Sequence, residues 1–313
     1  MLAVPRRGFA QNNVRLDALC DWLEGGVLFQ TESQISASDV VDLLVEGNIY
    51  ARQGLAWNRV EEAWSELRER KRLLENGYPI DIRNTHLRRK TRWQDVPAHS
   101  FCLALSFAEW YPDWANSFGR DHREQGELFE ILAEESLKRS FGEWEVYRTG
   151  WSTTNSNQLS VVVQKVATWL GEPPTGTIKR WTKPAAKEAG LDLLCFRPMP
   201  DRKPGIPIYL VQCASGVPSN PLWEHKLKTP DVGLWCKLVD FAVSPRRAFA
   251  TPFAFHDDDF VRYCRAVEGM FLDRFRILAP ARERDTWLSQ AITRRLIRWT
   301  RPRIRQLPSA DEM

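Results

Sequence analysis

The amino-acid sequence predicts an α/β protein whose first part is mainly helical. Two observations carry that prediction. From Glu124 onward, amphipathic segments of helical spacing alternate with short apolar runs of strand length, whereas before Trp114 the apolar residues recur mainly at helical spacing. The chain of 313 residues, 43% hydrophobic, has the material for one large domain or two ordinary ones. The stretch WANSFGRDH, Trp114 to His122, breaks the pattern, so a helical region is expected over 1–115 and an α/β domain over 116–313.

Composition narrows the class. The best apolar run, Phe101 to Ala108, is far short of the ~18 residues that cross a bilayer, and the start MLAVPRRGFAQNN has no signal-peptide core, so a soluble cytoplasmic protein without a membrane partner is expected. The six cysteines form no CxxC pair and none stands at zinc-site spacing from the five histidines; reduced, mostly buried thiols are expected. There is no Walker loop, GxSxG, HExxH or heptad array.

Each element has its own signal. Leu16 to Leu23 is short and amphipathic, and Ser38 with Asp39 can cap a helix that ends at Gly47. Asn58 to Glu75 is the clearest helix, with Val60, Trp64, Leu67 and Leu74 as its buried stripe and Gly77 as its stop. Tyr78 to His99 is polar and basic, with His86, Arg88, Arg89, Lys90 and Arg92 together; a solvated surface is the ordinary reading and a nucleic-acid contact the sharper one. Glu124 to Phe141 is a second strong helix, its Leu128, Ile131, Leu132, Ser136 and Leu137 on one side and Glu127, Glu130 and Glu134 on another, where such acids ordinarily serve solubility. Trp144 to Thr149 reads as a strand and Leu159 to Leu170 as a helix. Trp235 to Val243 is helix or strand, and Ala248 to Phe255 a strand. The acids of HDDD, His256 to Asp259, cap a helix over Phe260 to Phe271 in preference to forming a second metal site.

The most informative stretch runs from Lys187 to Gly216. Two apolar strands, Leu191 to Phe196 and Ile206 to Cys213, flank a turn from Pro198 to Gly205 rich in Pro, Gly and charge. Asp192 and Gln212 are the polar exceptions within them. A carboxylate in such a strand is costly to bury unless it is paired, and a divalent metal is one such partner. Alternation puts Asp192 with Leu194 and Phe196, and Gln212 with Ile208 and Leu210; an antiparallel hairpin lets the two polar groups converge.

The net charge of +4 is small but uneven: ten arginines lie between Arg274 and Arg305 against Glu283 and Asp285. Leu288, Ile292, Leu296 and Trp299 follow at core-helix spacing, while Arg294, Arg295, Arg298 and Arg301 are candidates for phosphate contacts beside a stacking Trp299. One amphipathic helix can do both.

The ordered set of helix with glutamates, strand, helix, strand with Asp192, turn and strand with Gln212 resembles the PD-(D/E)XK nuclease superfamily, in its Mrr-like restriction endonuclease branch. Gly126, Phe129, Glu130 and, one place off, Leu132 match its GxxFExL helix. Gly190, Leu191, Asp192 and Leu193 match its GxDL strand, and Val211, Gln212 and Cys213 match VQxK up to the lysine. The match covers Gly126 to Gly216, under a third of the chain. It departs at Ala214, where the family has lysine; Lys226 is the first candidate replacement and Lys228 the second.

The resemblance implies a restriction-endonuclease-like mixed sheet flanked by helices, and metal-dependent phosphodiester hydrolysis, on DNA in preference to RNA. It implies Mg2+ or Mn2+ held by Asp192, Glu130 and the carbonyl of Cys213, with Gln212 as a neutral replacement for the usual second carboxylate. The implied setting is bacterial defence against phage or foreign DNA, commonly beside a partner protein, with self-assembly left open. The rival reading is an inactive nuclease-fold adaptor that binds nucleic acid or a protein; an RNA nuclease acting as a toxin is a third.

Overall fold

The computed structural model describes residues 1–119, 122–149, 159–176, 180, 189–283 and 286–310. Lys187, at the start of the informative stretch, and Asp285, in the basic tail, lie outside them. The chain forms a mixed α/β protein of two compact units, one of Met1–Asp121, Pro252–His256 and Arg274–Met313, the other of His122–Thr251 and Asp257–Asp273. The break expected at Trp114 to His122 therefore coincides with the unit boundary.

The first unit opens with a short antiparallel pair, β1 (Phe9–Ala10) and β2 (Asn13–Val14). Then come α1 (Leu16–Phe29), β3 (Gln34–Ser36), α2 (Ala37–Glu46), α3 (Gln53–Leu74), β4 (Ile80–Ile82), β5 (His86–Arg89), α4 (Pro97–Trp110) and α5 (Pro112–Ser117). The cap of α2 is Ser36, whose side chain accepts from the Asp39 amide at 3.1 Å, and not Ser38 or Asp39 as expected. Helix α1 outruns its expected end at Leu23 because Asp21 and Glu24 are buried within it, paired with arginines. The region is also less purely helical than expected: β3, β5 and β4 form an antiparallel sheet, and the basic stretch supplies its central strand. In β5, Leu87 is fully buried while Arg88 is exposed, the alternation of a half-buried strand.

The second unit holds α6 (His122–Ser140), β6 (Glu145–Arg148), α7 (Leu159–Leu170), β7 (Leu193–Phe196), β8 (Ile208–Cys213), α8 (Trp223–Leu227), α9 (Val232–Leu238), β9 (Arg246–Ala250), α10 (Asp257–Val267) and β10 (Met270–Leu272). Its five-stranded sheet has the order β10-β9-β8-β7-β6. The strands β6, β7 and β8 are antiparallel in turn, whereas β8, β9 and β10 are parallel, so the sheet is mixed. Leu194, Phe196, Ile208 and Leu210 share a core with Val163 and Val166 of α7 and Trp235 and Leu238 of α9. Burying this face on both hairpin strands fixes register, since a slip of one residue turns every side chain over. Asp257, Asp258 and Asp259 occupy the first turn of α10, where acids favour a helix start.

The chain then returns to the first unit with α11 (Arg274–Leu278) and α12 (Gln290–Arg305). The arginine-rich helix was expected with the α/β domain. It lies in the first unit instead, because Ile292, Leu296 and Trp299 bury against α4, Trp299 meeting the Phe101 ring edge-on at 4.9 Å.

Candidate functional site

Register positions the candidate site of the second unit. Leu193 pairs with Val211 and Leu194 with Leu210, so Asp192, just before β7, stands against Gln212 at the end of β8. The Asp192 amide donates to the Val211 carbonyl at 3.0 Å and its carbonyl accepts from the Thr149 amide at 2.9 Å. The side chain is 4% exposed. Its Oδ2 accepts from Gln212 Nε2 at 2.5 Å and from the Cys213 amide at 2.6 Å, two donors that satisfy this buried oxygen. The convergence expected from strand alternation is thus present.

Gln212 does more than meet Asp192. Its Nε2 also donates to the Cys213 carbonyl at 3.2 Å, and its Oε1 accepts from the Thr229 hydroxyl at 3.0 Å. That hydroxyl is also 2.7 Å from the Lys226 carbonyl. Gly190, at φ +73°, makes room for the group: a Cβ there would stand 3.0 Å from the Thr229 Cβ and 3.2 Å from Gln212 Oε1.

Glu130 lies on α6, which packs on β8. It is 5% exposed, so the solubility reading of the helix glutamates fails for it. Glu134, half-buried, pairs with Arg148 at 2.9 Å and Lys138 at 2.7 Å. Burial first, then the charges of Asp192 and Glu130, push the Cys213 thiol well above its ordinary range while Arg148 opposes them. Both carboxylates therefore act electrostatically on one point at the end of β8.

Where the resemblance expects a lysine stands Ala214, which is fully buried and whose amide donates to the Ala250 carbonyl at 2.9 Å. Past it, the Ser215 carbonyl accepts from Gln125 Nε2 at 2.8 Å. Lys226 is half-buried and sends Nζ to within 3.8 Å of where a Cβ on Gly216 would stand, whereas Lys228 is exposed. The Lys226 amine thus lies against the loop that follows the vacated position.

The arginine candidates belong to the first unit. Arg294, Arg298 and Arg301 are exposed on one face of α12, and Arg305 extends the row at spacings of four, three and four. Arg295 is half-buried, about 100° further round the helix. Sequence reading missed Thr229 and Gln125, and placed Arg305 in the basic tail without singling it out as a contact. Spacing alone would have supplied Arg305; nothing local marks a threonine in LKTP or a glutamine in a charged helix turn as a site residue.

Among the described residues no group of three or more His, Cys, Asp or Glu forms a metal-binding cluster. No protein-family model, curated protein or solved structure matches the chain.

Proposed function

We propose that the second unit is a metal-dependent nuclease domain of restriction-endonuclease type, hydrolysing phosphodiester bonds, with DNA as the favoured substrate and defence against phage or foreign DNA as the setting. The observation that carries this reading is the Asp192–Gln212–Cys213 corner, with buried Glu130 beside it and the Lys226 amine against the following loop. The order of helix, antiparallel hairpin and parallel neighbour strand supports the same fold assignment.

A divalent cation fits the donor set. Asp192, Glu130 and the Cys213 carbonyl offer hard oxygens of the kind such an ion takes. Those three groups would hold Mg2+ or Mn2+, which when bound polarises the phosphate and makes a water more acidic. The chain does the rest. The Cys213 amide fixes the Asp192 carboxylate, Gln125 holds the Ser215 carbonyl and with it the loop, and Lys226 offsets charge that develops on the phosphate.

One observation favours the inactive-adaptor reading. With its Nε2 directed at Asp192 and the Cys213 carbonyl, Gln212 satisfies the oxygens that a cation needs. The test is cleavage of supercoiled plasmid, single-stranded DNA and RNA with Mg2+ or Mn2+, comparing the native chain with Asp192→Asn and Lys226→Ala. Metal-dependent cutting lost by about a hundredfold or more in both variants is expected. No cutting by the native chain on any substrate would transfer the assignment to the adaptor.

A further inference from the structure

The first unit carries a feature that the nuclease reading does not use. A cavity of about 870 Å³ opens between the start of α4, the start of α12 and the segment before it. Trp287, Leu278 and Val96 give it apolar walls; Lys90, Gln290, Asp95 and Glu283 lie at its polar side. His99 lines it as well, 3% exposed, with no hydrogen-bond partner on either ring nitrogen, its Nε2 lying 3.9 Å from the Glu24 carboxylate. Burial, then the charges of Arg274 and Arg70, lower its pKa to about 3, so the ring is neutral and offers one donor and one acceptor.

The cavity and the arginine row are continuous. Gln290 lines the cavity and stands one turn before Arg294 on the same helix face, so 290, 294, 298, 301 and 305 form a single line. From Arg294 to Arg305 that line spans roughly 16 Å. Among the described residues Arg294, Arg298, Arg301 and Arg305 make no ion pair, whereas the charged side chains of α3 are mostly tied to neighbours. A row of exposed guanidiniums suits successive phosphates of a flexible strand, and a roomy pocket with an indole wall and amide groups suits one unstacked base. A flat polyanion without bases would use the row and leave the pocket unexplained.

The geometry points to a single-stranded nucleic-acid site on the first unit, with the phosphate backbone along Arg294, Arg298, Arg301 and Arg305 and the terminal nucleotide of the strand in the cavity at the start of α12. It is independent of the Asp192 corner: loss of cleavage leaves it standing, and loss of binding here leaves the nuclease assignment standing.

The test uses the full chain in excess chelator, so that metal-dependent cutting plays no part, with fluorescently labelled DNA and RNA strands of about 12 nucleotides. Binding of at least one of the two polymers is expected, with log affinity falling linearly with log salt. In Arg298→Gln/Arg301→Gln the affinity drops about tenfold at low salt and the slope shrinks by about 1.4, two phosphate contacts' worth for a single strand. Thr293→Trp, which plugs the mouth of the cavity from an accessible helix position, weakens linear strands and leaves a circularised strand of equal length unchanged. Circular dichroism of each variant checks folding. Equal binding of linear and circular strands by the native chain would overturn the end pocket. Polyglutamate competing as well as the oligonucleotide would replace nucleic acid by a generic acidic partner, and binding of neither polymer would overturn the site.

Discussion

Gln212 concentrates the chemistry of the hairpin in one amide. Its nitrogen faces Asp192 and its oxygen faces Thr229, whose single hydroxyl hydrogen has two acceptors in reach, Gln212 Oε1 and the Lys226 carbonyl. A hydroxyl so placed supports the amide either way round: it donates to Oε1 in the orientation observed, and with its hydrogen on the Lys226 carbonyl it accepts from Nε2 in the reverse one. The reverse orientation turns an oxygen toward the Asp192 carboxylate, which is stable only with a cation between them. Gln212→Glu removes the choice by setting two carboxylates together with no side-chain N–H between them. It is expected to destabilise the chain by on the order of 1–3 kcal/mol without metal, and to give Mg2+ or Mn2+ a larger stabilising effect than the native chain shows. Thermal melts with and without metal read both effects. Equal metal-induced shifts in the two proteins would mean that no cation enters this corner.

At the scale of the element, the hairpin stands on a turn of chain that only glycine fits. Gly190 combines φ +73° with neighbours at 3.0 and 3.2 Å from a Cβ placed on it, while Gly142 in the same unit has φ +56° and nothing within 4 Å of where its Cβ would stand. Gly142→Ala therefore costs the conformational part alone, about 1 kcal/mol, and Gly190→Ala about 2–3 kcal/mol because Thr229 and Gln212 must also move. Denaturant midpoints compare them; equal losses would show that the crowding at Gly190 costs nothing. The hairpin was legible because both strands are apolar runs of strand length, and their polar exceptions, Asp192 and Gln212, fall by alternation on the side of Leu194, Phe196, Ile208 and Leu210. The small sheet of the first unit was not, since β3 and β4 have three residues each and β5 reads HLRR, with one buried leucine to mark it. Glu130 was legible as a motif residue but not as a buried one, because the helix's apolar stripe is wide enough to take in a neighbour that sequence periodicity assigns to solvent. Thr229 and Gln125 come from outside the hairpin and meet it only through folding.

At the scale of the molecule, the first unit is held together by charges far apart in sequence. Asp21 and Glu24 of α1, Arg70 of α3 and Arg274 of α11 are all buried, at 2%, 0%, 1% and 0% exposure. Arg274 bonds both Asp21 oxygens at 2.8 and 3.1 Å, donates to the Pro252 carbonyl at 3.0 Å and reaches Ser106; Arg70 meets Asp21 at 2.9 Å. Tyr78 donates to Glu24 at 2.6 Å and Trp110 to Asp21 at 3.3 Å. Two carboxylates thus face two guanidiniums, and the last of the four arrives only after the whole second unit has been threaded. Burial pushes the Asp21 carboxyl up, but Arg274 and Arg70 outweigh it and hold the group at about 2. A depressed carboxyl contributes stability above its unfolded value of 3.8 and loses it as pH falls toward 2. Arg274→Met leaves one buried carboxylate short of a partner, which costs about 3–5 kcal/mol in the full chain and moves the acid limb of the stability curve to higher pH. A fragment of residues 1–121 lacks Arg274 together with the packing of Ile292, Leu296 and Trp299 on α4, and against a total stability of about 5–15 kcal/mol it is expected not to fold. Amide spectra of the fragment decide the matter: dispersed, native-like signals would show that the first 121 residues are a domain in their own right and that the charge network closes a structure already formed.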